Sequence, residues 1–288
     1  MATQIQSFYA DSTILITGAT GLVGNYLIEK LLRSCPKVKK VYLLIRGKGT
    51  KNGADRLVDL LTNPVYNGLK KSDPQLLLKL EVLKGDLQLE KLGLDEDDLG
   101  KVVSEVNCIF HVAATVKFTD KLRNAVLINV KGVDSLIGIC RLMQNLKSVV
   151  YVSTAFSQVA NMNETLSPSF VDSDQLIEMV DHTDDSGLRK ITPQILGEWP
   201  NTYSFSKNVA EDILRRKGRN LPIAIVRPSL VLPPCSEPNG DWSNSPDWFF
   251  AYCSSVSLGL WHTTKCSSKD VVDMVPVDYV VNHLRPDG

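Results

Sequence analysis

Residues 13–24 constrain the fold of this chain more than any other stretch of its 288 residues. A short apolar run opens the stretch, a turn carries Gly18, Gly21 and Gly24, and a helical pattern of leucine and isoleucine follows at residues 27–32. Strand, glycine turn and helix in this order predict the phosphate-binding turn of a dinucleotide-binding fold. The alternative is a glycine-rich turn that holds no ligand. No Gly-Lys-Ser or Gly-Lys-Thr follows, which disfavours a nucleoside-triphosphate P-loop.

The three glycines have separate expected roles. Gly18 permits the tight turn, Gly21 leaves room for a pyrophosphate against the backbone, and Gly24 lets the helix pack closely on the strand. The N-terminus of the helix then offers free N–H groups and the positive end of its dipole to the phosphates. We assign to the cofactor site Gly18, Thr20, Gly21, Leu22, Val23 and Gly24.

Composition excludes several classes of protein. The formal net charge is zero, so nucleic-acid binding has no electrostatic support. None of the six cysteines forms Cys-x-x-Cys, and free thiols in a reducing compartment fit better than disulfides or zinc. No leader-like segment opens the sequence, and the apolar stretch at residues 248–261 is too short and polar to span a bilayer. We therefore predict no nucleic-acid partner, no metal and a cytoplasmic location.

Apolar runs and helical patterns alternate along the chain. Further strands are predicted at residues 41–45, 80–83, 108–114, 149–154 and 223–226. This alternation predicts the α/β class, with a doubly wound parallel sheet of the Rossmann type. We assign residues 1–235 to the dinucleotide-binding domain, with a polar, acidic insertion at about 157–200, and residues 236–288 to a small, incomplete substrate-binding part.

The residues that follow the second strand predict the coenzyme. In this fold an acidic residue at that position holds the ribose 2′-hydroxyl, whereas an arginine suits a 2′-phosphate. The chain has Arg46 there, with Lys48 two residues later. The expected coenzyme is therefore NADPH and not NADH; the alternative is a solvated basic turn.

Other strand ends complete the predicted cofactor site. Asp86 would either hydrogen-bond the adenine amino group or cap the next turn, and both remain open. The small side chains of Ala113 and Ala114 let the backbone approach the cofactor at the switch point of the sheet. For His111, a hydrogen-bonded core histidine is favoured over a catalytic one. The cofactor assignment also includes Leu87, Thr115, Lys207, Pro228 and Ser229.

Tyr203 and Lys207 are the first candidate catalytic pair. Positions i and i+4 of a helix share a face, so the phenol and the ammonium group should project together. A free phenol has a pKa of roughly 10. A neighbouring positive charge lowers that pKa, which would make Tyr203 a usable acid or base, and the lysine can also reach the nicotinamide ribose.

Hydroxyl groups at the end of the fifth strand are the second candidate. Ser153 and Thr154 would face the substrate carbonyl beside Tyr203, and Thr154 is favoured because it lies nearer the open end of the strand. Alternatively, both hydroxyls only cap the strand end. Asn129 would either orient a water or backbone group below the lysine or simply pack inside a helix.

Taken together, these residues resemble the extended short-chain dehydrogenases/reductases and, more closely, the fatty acyl-CoA reductases of the insect type. The matching segments are residues 17–24, 42–48, 111–118, 129–132, 151–155, 203–207 with 210–211, 227–229, 237–238 and 273–282. The resemblance implies that NADPH reduces a long-chain acyl-CoA to a fatty alcohol through an aldehyde. It also implies that Tyr203 protonates the developing oxyanion while Thr154 hydrogen-bonds to the same oxygen.

Members of that family usually continue with a helical C-terminal domain and often an apolar membrane anchor. We therefore expect that this chain is truncated at its C-terminus. Membrane association is expected only through the missing region, and its place would be the cytosolic face of the endoplasmic reticulum or peroxisome. Self-association of the chain into a homo-oligomer is also considered. Residues 239–269 depart from the family pattern, which puts acyl-chain binding in question.

Two other functions fit the same motifs. One is another extended short-chain dehydrogenase/reductase that acts on a nucleotide sugar or a carrier-bound acyl group. Arg46 argues against the sugar epimerases, which generally keep an acidic residue there and use NAD. The other is an inactive short isoform that binds NADP(H) and acts as a regulator.

Overall fold

Six parallel strands form the central sheet of the computed structural model, which describes residues 2–158, 164–238, 248–263, 267, 269 and 271–284. The strands are β1 (Thr13–Thr17), β2 (Lys40–Ile45), β3 (Leu80–Lys84), β4 (Cys108–His111), β5 (Ser148–Val152) and β6 (Ile223–Val226). Their order across the sheet is β3-β2-β1-β4-β5-β6. The direction of winding therefore reverses between β1 and β4, and the predicted doubly wound α/β fold is confirmed.

Helices cover both faces of this sheet. They are α1 (Gln4–Tyr9), α2 (Leu22–Ser34), α3 (Gly53–Leu61), α4 (Asn67–Ser72), α5 (Glu96–Glu105), α6 (Leu122–Ala125), α7 (Gly132–Cys140), α8 (Ser173–His182), α9 (Asp185–Leu196), α10 (Thr202–Lys217), α11 (Trp248–Ser257) and α12 (Val277–His283). A π-helical segment, Val126–Lys131, joins α6 to α7. No helix in the described part of the chain is long and apolar enough to cross a membrane.

Continuous apolar runs form β1, β2, β4 and β5, because these strands are buried on both faces. In β1, Ile14 and Ile16 pack into one core with α2 and α12, while Leu15 points into the opposite core. Every residue of β1 is buried. Among the described cysteines, Cys108 and Cys140 are buried free thiols.

Two strands end earlier than the sequence predicts. β4 ends at His111 and not at residue 114, because the chain leaves the sheet there to cross over the glycine turn. β5 ends at Val152 and not at residue 154, because the chain enters a 3₁₀ turn at Ala155–Ser157. Thr154 caps this turn, since its hydroxyl accepts a hydrogen bond from the Phe156 N–H. Both early ends lie at the carboxyl edge of the sheet, where ligands bind in this fold.

The C-terminal segment is fastened to the sheet domain. Strands β7 (Leu230–Leu232) and β8 (Met274–Pro276) form a separate parallel pair, and α12 packs on α2. The buried Asp278 carboxylate accepts hydrogen bonds from the backbone N–H groups of residues 235–237. Glu237 pairs with Lys30 and Arg33 of α2. Residues 239–247 and 285–288 of the predicted substrate-binding part lie outside the described residues.

Candidate active site

The glycine turn between β1 and α2 contains two close backbone approaches. Gly18 has a φ of +77°, and a Cβ atom added to it would lie 2.6 Å from the Ala113 nitrogen. A Cβ atom added to Gly24 would lie 2.2 Å from the Gly18 carbonyl oxygen. Side chains are therefore excluded at both positions, as expected from the tight turn and the close packing of helix on strand.

The same turn fits a bound pyrophosphate. A Cβ atom added to Gly21 would contact only the Gly18 oxygen, at 3.4 Å, so this glycine borders open space. Gly21 is the N-cap of α2, and no side chain of the described residues caps the helix. The first N–H groups of α2, which include those of Leu22 and Val23, have no intrahelical partner and can bind an anion.

A second arginine, Arg56 of α3, joins Arg46 at the end of β2. Its guanidinium donates to the Arg46 carbonyl oxygen (2.7 Å) and to the Thr20 hydroxyl (3.1 Å). The Arg46 side chain is 52% exposed. Thr20, Lys48 and Arg56 line one cavity of about 560 Å³. Sequence reasoning missed Arg56 because only the fold brings α3 back to the glycine turn.

Asp86 does cap a turn. Its Oδ1 accepts from the Gln88 N–H (3.1 Å), and its Oδ2 lies 3.7 Å from the Arg46 guanidinium. The alternative role, a bond to the adenine amino group, stays a prediction. Leu87 packs against α7, where a Cβ atom on Gly132 would lie 3.2 Å from the Leu87 Cβ.

Asn129 orients a backbone group, one of the two roles considered for it. Its side-chain amide bonds both the N–H (2.9 Å) and the carbonyl (3.1 Å) of Thr115, and donates to the Ser206 hydroxyl (2.9 Å). The loop that follows β4, with Ala113, Ala114 and Thr115, is thereby tied to α10. Asn129 lies in the π-helical segment, a distortion that is common at functional sites.

Tyr203 and Thr154 meet directly. Tyr203 lies in the first turn of α10, whose N-cap is Asn201, and its phenol hydrogen-bonds to the Thr154 side chain. Burial raises the pKa of Tyr203 above its usual value of 10, and the hydrogen bond to Thr154 offsets part of this rise. The expectation that Lys207 lowers this pKa is therefore wrong for this structure, because desolvation of the phenol dominates.

Lys207 is buried below the pair. Only 2% of the residue is exposed, and its Nζ donates to the Val152 carbonyl oxygen at 2.7 Å. The same nitrogen lies 4.6 Å from the centre of the Tyr151 ring. Burial lowers the pKa of Lys207 to about 7, and the negative charge of Glu211 acts in the opposite direction. Lys207 is thus a titrating group near neutral pH.

The two hydroxyls at the end of β5 have different partners. The Ser153 hydroxyl donates to the buried Glu211 carboxylate, whereas Thr154 bonds Tyr203. The structure thus separates the two residues that the sequence placed together. Pro228 and Ser229 lie beside this loop, since the Ala155 N–H donates to the Pro228 carbonyl oxygen at 2.9 Å. They line a cavity of about 1200 Å³ that extends along β6 to α12.

His111 is a core histidine. It is fully buried, its Nδ1 lies 2.9 Å from the Thr17 hydroxyl, and its ring stacks on Tyr151 with the centres 5.7 Å apart. Burial lowers the pKa of His111 to about 3, and the charge of Lys207 acts in the same direction. Folded His111 therefore stays neutral well below the pH at which a free histidine takes up a proton.

We expect His111→Asn to reduce the acid sensitivity of the fold. Between a free-histidine pKa of about 6.5 and the folded value, only the unfolded state binds this proton, so the free energy of unfolding falls by about 1.4 kcal/mol for each pH unit of acidification. Urea unfolding at a series of pH values below neutrality should show a shallower decline for the variant. His182→Asn, at an exposed position of α8, should keep the wild-type slope, and equal slopes for all three proteins would contradict the assignment.

Comparison with known proteins places the chain in a family. Fatty acyl-CoA reductase 1 of Rattus norvegicus is 38% identical over 283 residues, which are 96% of this chain and 54% of the relative. The chain thus spans about half the length of the curated relatives it matches.

Solved structures with similar folds include two reductase domains. The terminal R domain of the myxalamid PKS-NRPS pathway has a TM-score of 0.69 at 24% identity, over 96% of this chain and 64% of that one. The reductase domain of a non-ribosomal peptide synthetase from Mycobacterium tuberculosis has a TM-score of 0.63 at 25% identity, over 99% of this chain and 66% of that one. The family model described as male sterility protein, an NAD-binding domain, matches residues 16–284. This match contains the glycine turn and most of the sheet, so the chain belongs to the male sterility protein family and forms an NAD(P)-binding domain.

Proposed function

We propose that this chain reduces long-chain acyl-CoA thioesters to fatty alcohols in two steps. The thioester is reduced by one NADPH to an aldehyde with release of the CoA thiol, and the aldehyde is reduced by a second NADPH to the alcohol. The observation that carries the proposal is the hydrogen-bonded pair of Thr154 and Tyr203, with Lys207 one turn further along α10. Relatives named fatty acyl-CoA reductase support the substrate class.

The side chains divide the chemistry between them. Reduced nicotinamide, when bound, supplies the hydride. Tyr203 keeps its proton at neutral pH because burial raises its pKa, so it can donate that proton to the oxygen that becomes negative. Thr154, already bonded to the phenol, can share the same oxygen and stabilise its charge. Ser153 is not assigned to this oxygen, since its hydroxyl binds Glu211.

Lys207 is assigned to the nicotinamide ribose. An ammonium group has three N–H donors, and one of them binds the Val152 carbonyl. The remaining donors can serve a ribose hydroxyl, with the Tyr151 ring holding the group from below. Gly21 and the first turn of α2 would hold the pyrophosphate.

Exposed apolar side chains near Tyr203 are consistent with a substrate that has a long acyl chain. Phe118 lies with its ring centre 5.9 Å from that of Tyr203 and is 56% exposed. Two further apolar side chains are exposed: Val116 in the loop that carries Ala113, and Phe156 in the loop that carries Thr154. A thioester with an alkyl chain would cover these side chains and remove their apolar surface from water.

We expect the arginines at the end of β2 to set the preference for NADPH. Arg46→Glu and Arg56→Gln should each weaken NADPH binding by roughly tenfold or more and leave NADH binding little changed, because each removes a charge-assisted bond to the 2′-phosphate. Titration calorimetry with both coenzymes measures this. Arg189→Gln, on the distant helix α9, is the matched control. If neither Arg46→Glu nor Arg56→Gln reduces the difference in affinity between NADPH and NADH, the 2′-phosphate assignment is wrong.

Turnover with three kinds of substrate tests the reaction. NADPH consumption and product mass spectrometry are followed with a long-chain acyl-CoA, an acyl thioester on a carrier protein and a UDP-sugar. We expect a fatty alcohol from acyl-CoA. Turnover of only the carrier thioester or the sugar would replace the proposed substrate, and NADPH binding without any turnover would favour a regulatory role. The homo-oligomer and the location at the endoplasmic reticulum or peroxisome stay predictions.

A further inference from the structure

Glu211 lies one helical turn beyond Lys207 on α10 and is only 1% exposed. A buried carboxylate needs hydrogen-bond donors or a counter-charge to offset its lost hydration. No step assigned to the catalytic residues uses this group. Its partners therefore indicate what it does.

Three side chains donate to the Glu211 carboxylate. Oε1 accepts from the hydroxyls of Ser153 and Ser157 (2.8 Å for Ser157) and from the Arg227 Nε (2.9 Å), while Oε2 accepts from the Arg227 Nη2 (2.7 Å). Arg227 also donates to the Thr165 carbonyl oxygen at 3.1 Å. The carboxylate is thus the shared acceptor of donors from the end of β5, the turn after it and the end of β6.

The two serines flank Thr154. Ser153 precedes it and Ser157 ends the 3₁₀ turn that follows, so both ends of the loop that carries the Thr154 hydroxyl are bonded to α10. Tyr203 and Lys207 lie on that same helix. The position of Thr154 relative to Tyr203 therefore depends on the carboxylate between the loop and the helix.

We propose that Glu211 is a positioning residue, which holds the Thr154 loop against α10 so that the hydroxyl and the phenol stay in contact. The effect of Glu211 on catalysis rests on the proposed function, but its hydrogen bonds to the Thr154 loop are present without substrate. A displacement of about 1 Å at such a pair can cost roughly a hundredfold in rate.

Glu211 also faces the charge of Lys207. The other titratable groups around that lysine are His111 on β4, Tyr151 on β5 and Tyr203 on α10. Of these groups, Glu211 is the one that raises the pKa of Lys207. Loss of its charge should therefore shift the Lys207 titration to lower pH, an effect that simple packing by a neutral side chain would not give.

Glu211→Gln tests both the positioning of the Thr154 loop and the effect of the Glu211 charge on Lys207, since glutamine keeps the shape of the side chain and one acceptor oxygen. The Lys207 signal in ¹³C-lysine NMR, assigned with Lys207→Met, should titrate at lower pH in the variant. In turnover assays kcat should fall about tenfold to a hundredfold with little change in the KM for acyl-CoA. In a double-mutant cycle, Glu211→Gln and the pair Ser153→Ala, Ser157→Ala should be clearly non-additive in kcat.

Glu178→Gln, an equal charge change at an exposed position of α8, should alter neither measurement. If Glu211→Gln does not fold because Arg227 is left unpaired, Glu211→Gln with Arg227→Gln removes both charges, and the fall in kcat and its non-additivity with Ser153→Ala, Ser157→Ala are then the test. An unchanged Lys207 titration or additive mutations overturn the proposal. The NMR titration needs no substrate, so a chain that turns over no thioester would contradict the proposed function and still test Glu211.

Discussion

Tyr203→Phe is expected to lower kcat by a factor of about 10²–10⁴, the usual contribution of a positioned proton donor. The variant removes one oxygen, the atom that hydrogen-bonds Thr154 and carries the proton. The ring stays in place, so NADPH affinity should change by less than about threefold, as expected when only an interaction in the transition state is lost. Single-turnover assays at saturating NADPH measure the effect on the chemical step.

Tyr42→Phe is the matched control for this prediction. It removes a phenol oxygen that donates to Glu105 (2.8 Å) from β2, in the core that also contains Leu15. Its kcat should equal that of the unmodified chain. If Tyr203→Phe keeps full activity, the proton comes from another group and the assignment of Tyr203 fails.

Gly24→Ala is expected to destabilise the fold by about 3 kcal/mol or more, at the upper end of the cost of overpacking. The added methyl group would lie 2.2 Å from the Gly18 oxygen and 2.9 Å from the Ala19 Cα, and both contacts are with backbone. The chain can relieve them only if α2 moves away from β1. Urea denaturation should show the loss, and the NADPH affinity should fall as well, because α2 carries the phosphate-binding N–H groups.

Two other glycines serve as controls for Gly24→Ala. Gly138 lies inside α7 with no atom within 4 Å of an added Cβ, so Gly138→Ala should be neutral or stabilise by roughly 0.5–1 kcal/mol. Gly21→Ala should keep the stability within about 0.5 kcal/mol but weaken NADPH binding, since its methyl group would enter the space left for the pyrophosphate. If Gly24→Ala were as stable as Gly138→Ala, the close packing of helix on strand would be wrong.

The sheet could be predicted from the sequence because buried parallel strands are continuous apolar runs. The run at 41–45 and the glycine turn each have a local signature that tertiary structure does not override. The ends of β4 and β5 could not be predicted in the same way. They depend on where the chain crosses the turn at Gly18 and where Thr154 caps a 3₁₀ turn, which are tertiary features.

Side-chain partners were harder to predict than positions. Helical spacing places Lys207 and Tyr203 on one face of α10. The hydrogen bond of the lysine to the Val152 carbonyl oxygen and its lowered pKa both follow from its burial, which the sequence does not show. Adjacency in sequence groups Ser153 with Thr154, while the structure gives them separate partners. Arg56 has no local motif at all.

A crystal structure of this chain with NADPH tests the central claim most directly. We predict that the pyrophosphate lies over Gly21, the 2′-phosphate beside Arg46 and Arg56, and the nicotinamide ring on the side of Tyr203. A nicotinamide ring that points away from Tyr203, or a glycine turn without bound coenzyme at saturating NADPH, would contradict it.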